Sequence, residues 1–444
     1  MFPLRRTENL NNAKRKPRAY IYTLGCRVNQ YESAAVAAEL EKYGFEIAEN
    51  DADCDVYIIN TCAVTAESEK KSRKFIRHAA KQNPYAAVIV MGCYSQIAAA
   101  DAAKIDGVRL VLGNRNKLRA AKYAADFVSL SAADNRIEIA ELGNTPIENM
   151  RIYHTENARA FVKIEDGCDN KCAYCIIKDA RGGVVSRLPE DICEEIRGLV
   201  SAGYSEVVLT GIETASYGKD LDGIGLSELI LKIAEIDGVH RIRLGSLEPS
   251  VLKPALVDTL ASCEKFMPSF HLSLQSGSSK VLAAMRRRYN ADMAMNAISY
   301  IKEKIPAATF TCDIIVGFPG ETEEDFAETE EFARRAGFLH MHIFPFSPRK
   351  GTEAASMPEQ VPENIKTRRA SELAELGAVL ADVVYEANRD YRGTVLFETY
   401  ENGINRGHTE HMLEAELEGD DLRGKEVRVY AAEIKNGRLI CKAE

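Results

Sequence analysis

Three cysteines stand close together in the run Glu165-Asp166-Gly167-Cys168-Asp169-Asn170-Lys171-Cys172-Ala173-Tyr174-Cys175. Thiolates are soft ligands, and Cys168, Cys172 and Cys175 suit one cubane iron-sulfur cluster in which the protein ligates three of the four irons. No fourth cysteine lies nearby, so the remaining iron would be an open coordination position for a substrate. A zinc site is the alternative, because short cysteine spacings also suit a tetrahedral ion. Zinc would require a fourth ligand and usually two separated pairs, and neither a second CxxC nor a nearby HxxxH is present.

A strand, cysteine, helix order recurs three times in the first part of the chain. Ala19-Tyr20-Ile21-Tyr22-Thr23 ends in Leu24-Gly25-Cys26, and helical periodicity follows from Glu32 to Tyr43. Val56-Tyr57-Ile58-Ile59 runs into Asn60-Thr61-Cys62 and a polar helix through His78, and Ala87-Val88-Ile89-Val90-Met91 ends in Gly92-Cys93. In a doubly wound α/β sheet the strand C-terminal ends open on one edge, where ligands bind. Cys26, Cys62 and Cys93 are therefore expected to converge as ligands of a second cluster, although free cysteine also serves as small core filler. Cys54 precedes its strand and reads as bland core or surface.

A chain of 444 residues predicts two to four domains. Eleven cysteines, an odd number, and the absence of an apolar leader argue against a disulfide scaffold and for a reducing, cytoplasmic setting. No run approaches the ~18 apolar residues of a membrane span, so no membrane partner is expected. With 66 acidic and 57 basic residues the net charge is −9, which disfavours DNA and requires any RNA site to be a local basic patch. Residues 1–18, with Arg5, Arg6, Lys14, Arg15, Lys16 and Arg18, read as a flexible basic tail.

The middle of the chain carries six apolar, β-rich runs: Phe161 to Glu165, Glu206 to Thr210, Arg241 to Ser246, Phe270 to Leu274, Thr309 to Val316 and Leu339 to Phe346. Helical stretches such as Glu190 to Ala202 and Leu226 to Ala234 separate them, which predicts a parallel sheet. Six units are too few for an eight-fold barrel, so a partial (β/α)6 barrel is expected, with its functional groups at the strand C-terminal ends. Cys168, Cys172 and Cys175 follow the first strand. Gly211, Glu248, Gln275 and the Gly317-Phe318-Pro319-Gly320 turn follow the next four.

Tyr174, directly before the third cysteine, completes a pattern that resembles the radical S-adenosylmethionine (SAM) superfamily, whose open iron takes the amino and carboxylate groups of SAM. Thr23 to Glu32, Asn60 to Thr65 and Met91-Gly92-Cys93, with His271-Leu272-Ser273-Leu274-Gln275-Ser276-Gly277-Ser278 and Met285-Arg286-Arg287-Arg288-Tyr289, are similar to the methylthiotransferase family. That resemblance runs from about Ala19 to the C-terminal end. It implies two [4Fe-4S] clusters, one on Cys168, Cys172 and Cys175 that cleaves SAM to a 5′-deoxyadenosyl radical, and one on Cys26, Cys62 and Cys93 that supplies or carries sulfur. Tyr174, Gly211, Glu248, Gln275 and Gly317 become the expected SAM contacts. The first motif, Cys175-Ile176-Ile177 and Leu209-Thr210-Gly211-Ile212 resemble the subgroup acting on N6-threonylcarbamoyladenosine (t6A) at position 37 of tRNA. Lys178 and Gly183 depart from that subgroup, where proline and arginine are usual. The alternatives are isopentenyladenosine in tRNA, an aspartate of a ribosomal protein or, in another class, a non-catalytic zinc-containing RNA-binding protein. The implied partners are tRNA and an electron donor such as a flavodoxin or ferredoxin, with the sulfur source left open.

Val395 to Glu398, Leu413 to Leu417, Lys425 to Tyr430 and Arg438 to Cys441 read as short strands of a small β-barrel resembling the RNA-binding TRAM domain. From Tyr391 to Glu444 the chain has 8 basic and 11 acidic residues, so RNA contact there would be local, through Arg392, Arg406, His408 and Arg428. Lys70, Lys71, Arg73, Lys74 and Arg77 form a second basic group after Cys62. The expected organisation is a methylthiotransferase domain at 19–140, a radical SAM barrel at 150–380 and a separable TRAM-like module at 385–444, reached through a helix from Glu372 to Arg389.

Overall fold

Six parallel strands form the first sheet, β1 (Arg18–Thr23), β2 (Glu46–Ile47), β3 (Val56–Thr61), β4 (Ala87–Gly92), β5 (Val108–Leu112) and β6 (Arg136–Glu138), with continuous apolar runs at the central β3, β4 and β5 and short polar strands β2 and β6 at the edges. The computed structural model describes residues 15–130, 135–143, 145–155 and 157–444. Most of the expected basic tail lies outside them, but Arg15 pairs with Asp55 at 3.0 Å and Arg18 opens β1. The strands pair in the order β2-β1-β3-β4-β5-β6. Every residue of β3 and β4 is buried, the pattern of a parallel sheet covered on both faces. Val56, Ile58, Ala87, Ile89 and Met91 pack with helices Arg27–Lys42 and Arg119–Leu130. Tyr57, Ile59, Val88 and Val90 pack on the other face with helices Ala66–Gln82, Cys93–Ile97 and Ala99–Ala103. β2 and β3 flank β1 on opposite sides, so the strand order reverses between β1 and β3 and creates a topological switch point there.

The chain divides into two compact units. One holds the chain up to Tyr153 with Glu165–Asp169 and Cys175–Arg187, and the other holds His154–Ile164, Asn170–Tyr174 and Leu188–Glu444. In the second, β7 (Ala160–Lys163) is followed by an excursion to the first unit, where β8 (Glu165–Asp166) pairs antiparallel with β9 (Val185–Ser186). The second unit resumes with β10 (Glu206–Thr210), β11 (Arg241–Leu244), β12 (Ser269–Gln275), β13 (Thr309–Val316) and β14 (His340–Pro345). Parallel sheets β11-β10-β7 and β12-β13-β14 meet at isolated parallel bridges, Ile242 to Phe266 and Leu247 to Leu272. The result is six parallel strands in sequence order with open edges at β7 and β14. Along β12 and β13, buried Phe270, Leu272, Phe310, Cys312 and Ile314 alternate with half-buried His271, Ser273, Thr311 and Asp313 on the opposite face.

Five strands, β15 (Arg392–Glu401), β16 (Ile404–Thr409), β17 (Glu414–Glu418), β18 (Glu426–Lys435) and β19 (Arg438–Ala443), pair in a closed ring in the order β15-β16-β17-β19-β18. β16 is absent from the four expected strands because its inward positions are Asn405, Gly407 and Thr409 rather than hydrophobes. Asn405 is fully buried and works as a hydrogen-bonding hub, donating to the Asp420 carbonyl at 2.8 Å and accepting from the Leu422 amide at 2.8 Å. Gly407 leaves no room for a side chain, since a Cβ there would lie 2.0 Å from the Leu396 carbonyl oxygen.

The ring is not detached from the barrel as expected. Arg241 donates to the Thr394 carbonyl at 2.8 Å, and Arg243 donates to the carbonyls of Thr409 and Glu410, each at 2.9 Å. These arginines start β11, so the ring covers the N-terminal ends of the barrel strands. Beneath it the buried Glu206 carboxylate offsets three guanidiniums, those of Arg159 at 3.3 Å, Arg241 at 3.4 Å and Arg243 at 2.8 Å.

Candidate iron-sulfur and SAM sites

Cys26, Cys62 and Cys93 follow β1, β3 and β4, and hydrogen bonds stitch these three strand ends together. Asn29 donates Nδ2 to the Leu24 carbonyl at 2.6 Å and to the Thr61 carbonyl at 3.0 Å, while Asn60 donates to the Asn29 carbonyl at 2.9 Å. The Thr61 hydroxyl donates to the Met91 carbonyl at 2.7 Å, joining the end of β4. Gly25 has φ +96° and so packs against Cys62 that a Cβ would stand 2.9 Å from its Sγ. The thiols feel one another. Burial pushes the Cys62 thiol up, and the neighbouring Cys93 and Cys26 add to the shift. Cys26 has solvent access, but the protein packed around it disfavours its thiolate, Arg181 opposes that shift and Cys93 reinforces it. Asn114 donates Nδ2 toward Cys93 Sγ at 3.6 Å.

A buried ionic network backs this set. Arg181 Nη1 donates to Glu32 and to Asp166, each at 2.9 Å, Arg115 pairs with Asp166 at 2.9 Å, and Lys117 pairs with Glu32. Arg181 and Lys117 are fully buried, and both lie close enough to Cys93 to interact with its charge. Cations near thiolates offset the negative charge that three of them and an iron-sulfur core would gather.

The other triplet spans eight residues, with Cys168 and Cys175 in the first unit and Cys172 in the second. Within the first unit the Cys168 amide donates to the Gly182 carbonyl at 3.0 Å, and Cys175 Sγ accepts from the Ile177 amide at 3.4 Å. A Cβ on Gly167 would lie 1.9 Å from the Gly183 carbonyl oxygen, and one on Gly183 would lie 3.0 Å from Asp169 Oδ1. Within the second unit Arg287 donates Nη1 to Cys172 Sγ at 3.3 Å and Nη2 to the Ser273 carbonyl at 3.0 Å. Arg287 also pairs with the buried Glu248 at 3.0 Å, and Glu248 accepts from Asn170 at 2.9 Å and from the Ser250 hydroxyl at 2.5 Å. Tyr289 donates to the Leu274 carbonyl at 2.5 Å.

Glu213, three residues after β10, lies in the same polar group; burial and then the nearby Glu248 charge raise its pKa to about 7. Sequence reasoning missed Glu213 and Arg181, and quoted Asn170, Arg287 and Tyr289 in motifs without giving them a task. The signal for Arg287 was its place in an arginine run just past the long β12 motif. Nothing local marks Glu213 or Lys117.

The expected SAM contacts scatter around the strand ends. Tyr174 meets Phe318 edge-on at 6.4 Å, Gly211 is half-buried directly after β10, and Gln275 ends β12 with φ +69°. Gly317 has φ +73° and its amide donates to Glu321 at 2.8 Å, but a Cβ there would lie 2.3 Å from Lys366 Cγ, so Lys366 takes the space beside it. Among the expected RNA contacts, Lys70, Lys71, Lys74 and Arg77 are exposed on helix Ala66–Gln82, whereas Arg73 bonds Glu69 at 2.5 Å and lies over the Tyr94 ring. In the ring, Arg392 and Arg428 each pair with Glu444, Arg406 pairs with Glu416, and His408 bonds Glu398 at 2.5 Å. The other cysteines, Cys54, Cys193, Cys263, Cys312 and Cys441, are buried, and Cys54 packs in the first unit's core.

The chain is 37% identical over 425 residues to the threonylcarbamoyladenosine tRNA methylthiotransferase MtaB of Bacillus subtilis, across 92% of each chain. It is 36% identical to the MtaB of Thermotoga maritima, across 96% of each chain. The chain belongs to the MtaB-like methylthiotransferases. A tRNA-2-methylthio-N(6)-dimethylallyladenosine synthase of Clostridium botulinum is 35% identical, across 85% of this chain and 84% of the relative. The radical SAM superfamily model matches residues 162–333, and that of the uncharacterized protein family UPF0004 matches residues 18–113. Among solved structures, TsrM, a radical S-adenosylmethionine methyltransferase from Kitasatospora setae, shares the fold with a TM-score of 0.57 at 14% identity, across 77% of this chain and 74% of that one. The cofactors of this family are SAM and [4Fe-4S] clusters. The residues present fit them: each triplet offers three soft donors without a fourth, Gly25 leaves open the space at Cys62 Sγ, and Arg287 and Arg181 supply compensating charge.

Proposed function

We propose that this chain converts t6A at position 37 of tRNA to its 2-methylthio derivative, using one SAM for radical generation and a second as methyl donor. The observation that carries this reading is the stitching of Cys26, Cys62 and Cys93 at one edge of the first sheet, in a chain that also bears the Cys168, Cys172 and Cys175 loop. Near end-to-end similarity to relatives named for t6A supports the substrate. The chemistry those cofactors bring when bound is reductive cleavage of SAM to a carbon radical, sulfur insertion and methyl transfer. The chain's own part is positioning. Arg287 holds Cys172 and Glu248 in one arrangement, and Glu248, Gln275, Tyr174 and Gly211 border the space where SAM would bind, with Gly317 shaping the turn behind it. Asn29, Asn60 and Thr61 fix the second set of thiols.

The proposed domains are a cluster-binding α/β domain at 19–140, a radical SAM barrel at 150–380 and a TRAM-like RNA-binding barrel at 385–444. Contact with tRNA is assigned to Lys70, Lys71 and Lys74, with Arg73, Arg392, Arg406, His408 and Arg428 contributing after exchange of their present carboxylate partners. The Glu444 pairs of Arg392 and Arg428 are exposed and weak in water, so a phosphate can replace that carboxylate, whereas the partly buried Glu398, shared by His408 and Arg159, is harder to displace. No helix of the described residues is long and apolar enough to cross a membrane. The setting is taken as cytoplasmic, with a flavodoxin or ferredoxin as electron donor.

Anaerobic reconstitution should give about eight irons per chain, two cubanes' worth. Cys93→Ala should lose about half of them and still form 5′-deoxyadenosine from SAM and reductant, but yield no methylthiolated tRNA. A core role for Cys93 predicts only a loss of about 1–2 kcal/mol in stability with product intact. Near wild-type product from Cys93→Ala would defeat the second-cluster assignment. Product mass settles the substrate, since t6A and dimethylallyladenosine give different methylthio nucleosides.

A further inference from the structure

The inner face of the partial barrel carries polar side chains that neither cysteine set uses. β12, β13 and β14 are neighbours, with Thr311 opposite both His271 and His340, and Asp313 opposite His342. His271 is held on two sides, Nδ1 sharing a hydrogen bond with Thr311 Oγ1 at 2.8 Å and Nε2 facing Asp313 Oδ2 at 3.3 Å. The His342 ring stands edge-on to His340 at 4.5 Å and to His271 at 5.5 Å. Both His340 and His342 are exposed, and neither ring makes a hydrogen bond to another described residue.

Alternation along β14 puts Phe344 on the same face, 49% exposed. Its other face is taken by Met341, which packs against helix Glu363–Ala387, where a Cβ on Gly377 would lie 3.1 Å from Met341 Cε. His340, His342 and Phe344 therefore face inward. Ser273, two residues beyond His271, continues this face toward the strand C-terminal ends, and its carbonyl holds Arg287, the residue bonded to Cys172.

We infer that this face is the pocket for the threonylcarbamoyl side chain of the substrate nucleoside, with Asp313, His340 and His342 hydrogen-bonding that side chain, His271 orienting Asp313 from Thr311 and Phe344 packing on the base. The inference rests on the t6A reading above. The side chain offers urea N–H groups and a hydroxyl as donors, and a urea carbonyl and a carboxylate as acceptors. Asp313 accepts, and the His340 and His342 imidazoles donate through a ring N–H, so the two sets are complementary. A dimethylallyl tail has no polar atom and would leave these groups unbonded, which is where discrimination against it arises. The competing occupant is a divalent metal, because donor atoms of His271, Asp313 and His342 lie within 4.8 Å of one another. The exposed Phe344 beside them, on a face that leads to Arg287, favours a nucleoside.

The test uses cluster-loaded full-length protein and anticodon stem-loops carrying t6A, dimethylallyladenosine or plain adenosine at position 37. Wild type should prefer the t6A stem-loop over plain adenosine by about tenfold or more. His342→Phe and Asp313→Asn should each cut that preference about tenfold, the effect of one hydrogen bond to a charged group. His340→Ala, at an exposed position where folding is not at stake, should cut it several-fold. An unchanged preference in His342→Phe and His340→Ala overturns the assignment. So does uptake of one zinc per chain beyond iron on incubation with zinc chloride, if His271→Ala abolishes it. If wild type forms no methylthio product from the t6A stem-loop, the activity itself is refuted; if it does while the variants keep their preference, only this pocket is.

Discussion

Glu213 shows how a single side chain takes its chemistry from its surroundings. Its pKa of about 7, raised from 4.5 by burial and then by Glu248, means that between those pH values the folded chain keeps a proton the unfolded chain has released. Stability contributed by this group is fully present below about pH 4.5 and is lost as pH rises through about 7. A shift of this size corresponds to about 3 kcal/mol. At fixed iron content, Glu213→Gln should abolish that part of the pH dependence, so the wild-type melting temperature should fall relative to the variant as pH rises from 4.5 to 7. Parallel melting curves across that window would show that the acid titrates normally in the fold.

At the scale of elements, the strand-to-cysteine turns set the second group of thiols. Gly92 ends β4 with φ +104°, and a Cβ there would lie 2.6 Å from both Asn60 Oδ1 and the Thr61 carbonyl oxygen. Asn60 and Thr61 are the residues that stitch β1, β3 and β4, so any relief of the clash must move them. Gly92→Ala combines a left-handed backbone with a collision against main chain and should cost about 2–4 kcal/mol. Reconstituted Gly92→Ala should bind about half the wild-type iron, with the loss confined to the second set. Full iron loading would mean that the turn relaxes without displacing Cys62 or Cys93.

Across the whole molecule, the C-terminal ring bears on the stability of the barrel. Leu339 and Tyr385 are buried in the ring's apolar core, and Arg241 and Arg243 find acceptors on the ring's backbone. Cutting the chain before Asp390 uncovers those apolar groups and strips carbonyl partners from two buried guanidiniums, a loss on the order of 3–5 kcal/mol. The truncated chain should melt roughly 10 °C lower or fail to accumulate. A truncation with an unchanged melting temperature would show that the ring is only tethered. The proposal that the ring binds tRNA is therefore better tested with Arg392→Ala and Arg428→Ala, which leave this interface alone.

Local pattern determined much of this protein. The six cysteines at their spacings, the apolar runs of β1, β3 and β4, and the alternation of strand and helix from β10 to β14 are all short-range signals, and each element formed within a few residues of where its pattern placed it. β16 escaped because a buried asparagine hub and a packed glycine replace the usual inward hydrophobes. What the sequence could not determine was which distant groups meet. Arg181 and Glu32, 149 positions apart, pair with no solvent exposure beside the second cysteine set. The high pKa of Glu213, the inward row of His271, Asp313 and His342, and the docking of the ring on Arg241 and Arg243 likewise arise only from the fold. Charge pairing, desolvation and register are properties of neighbours in space, and only the tertiary structure decides who those neighbours are.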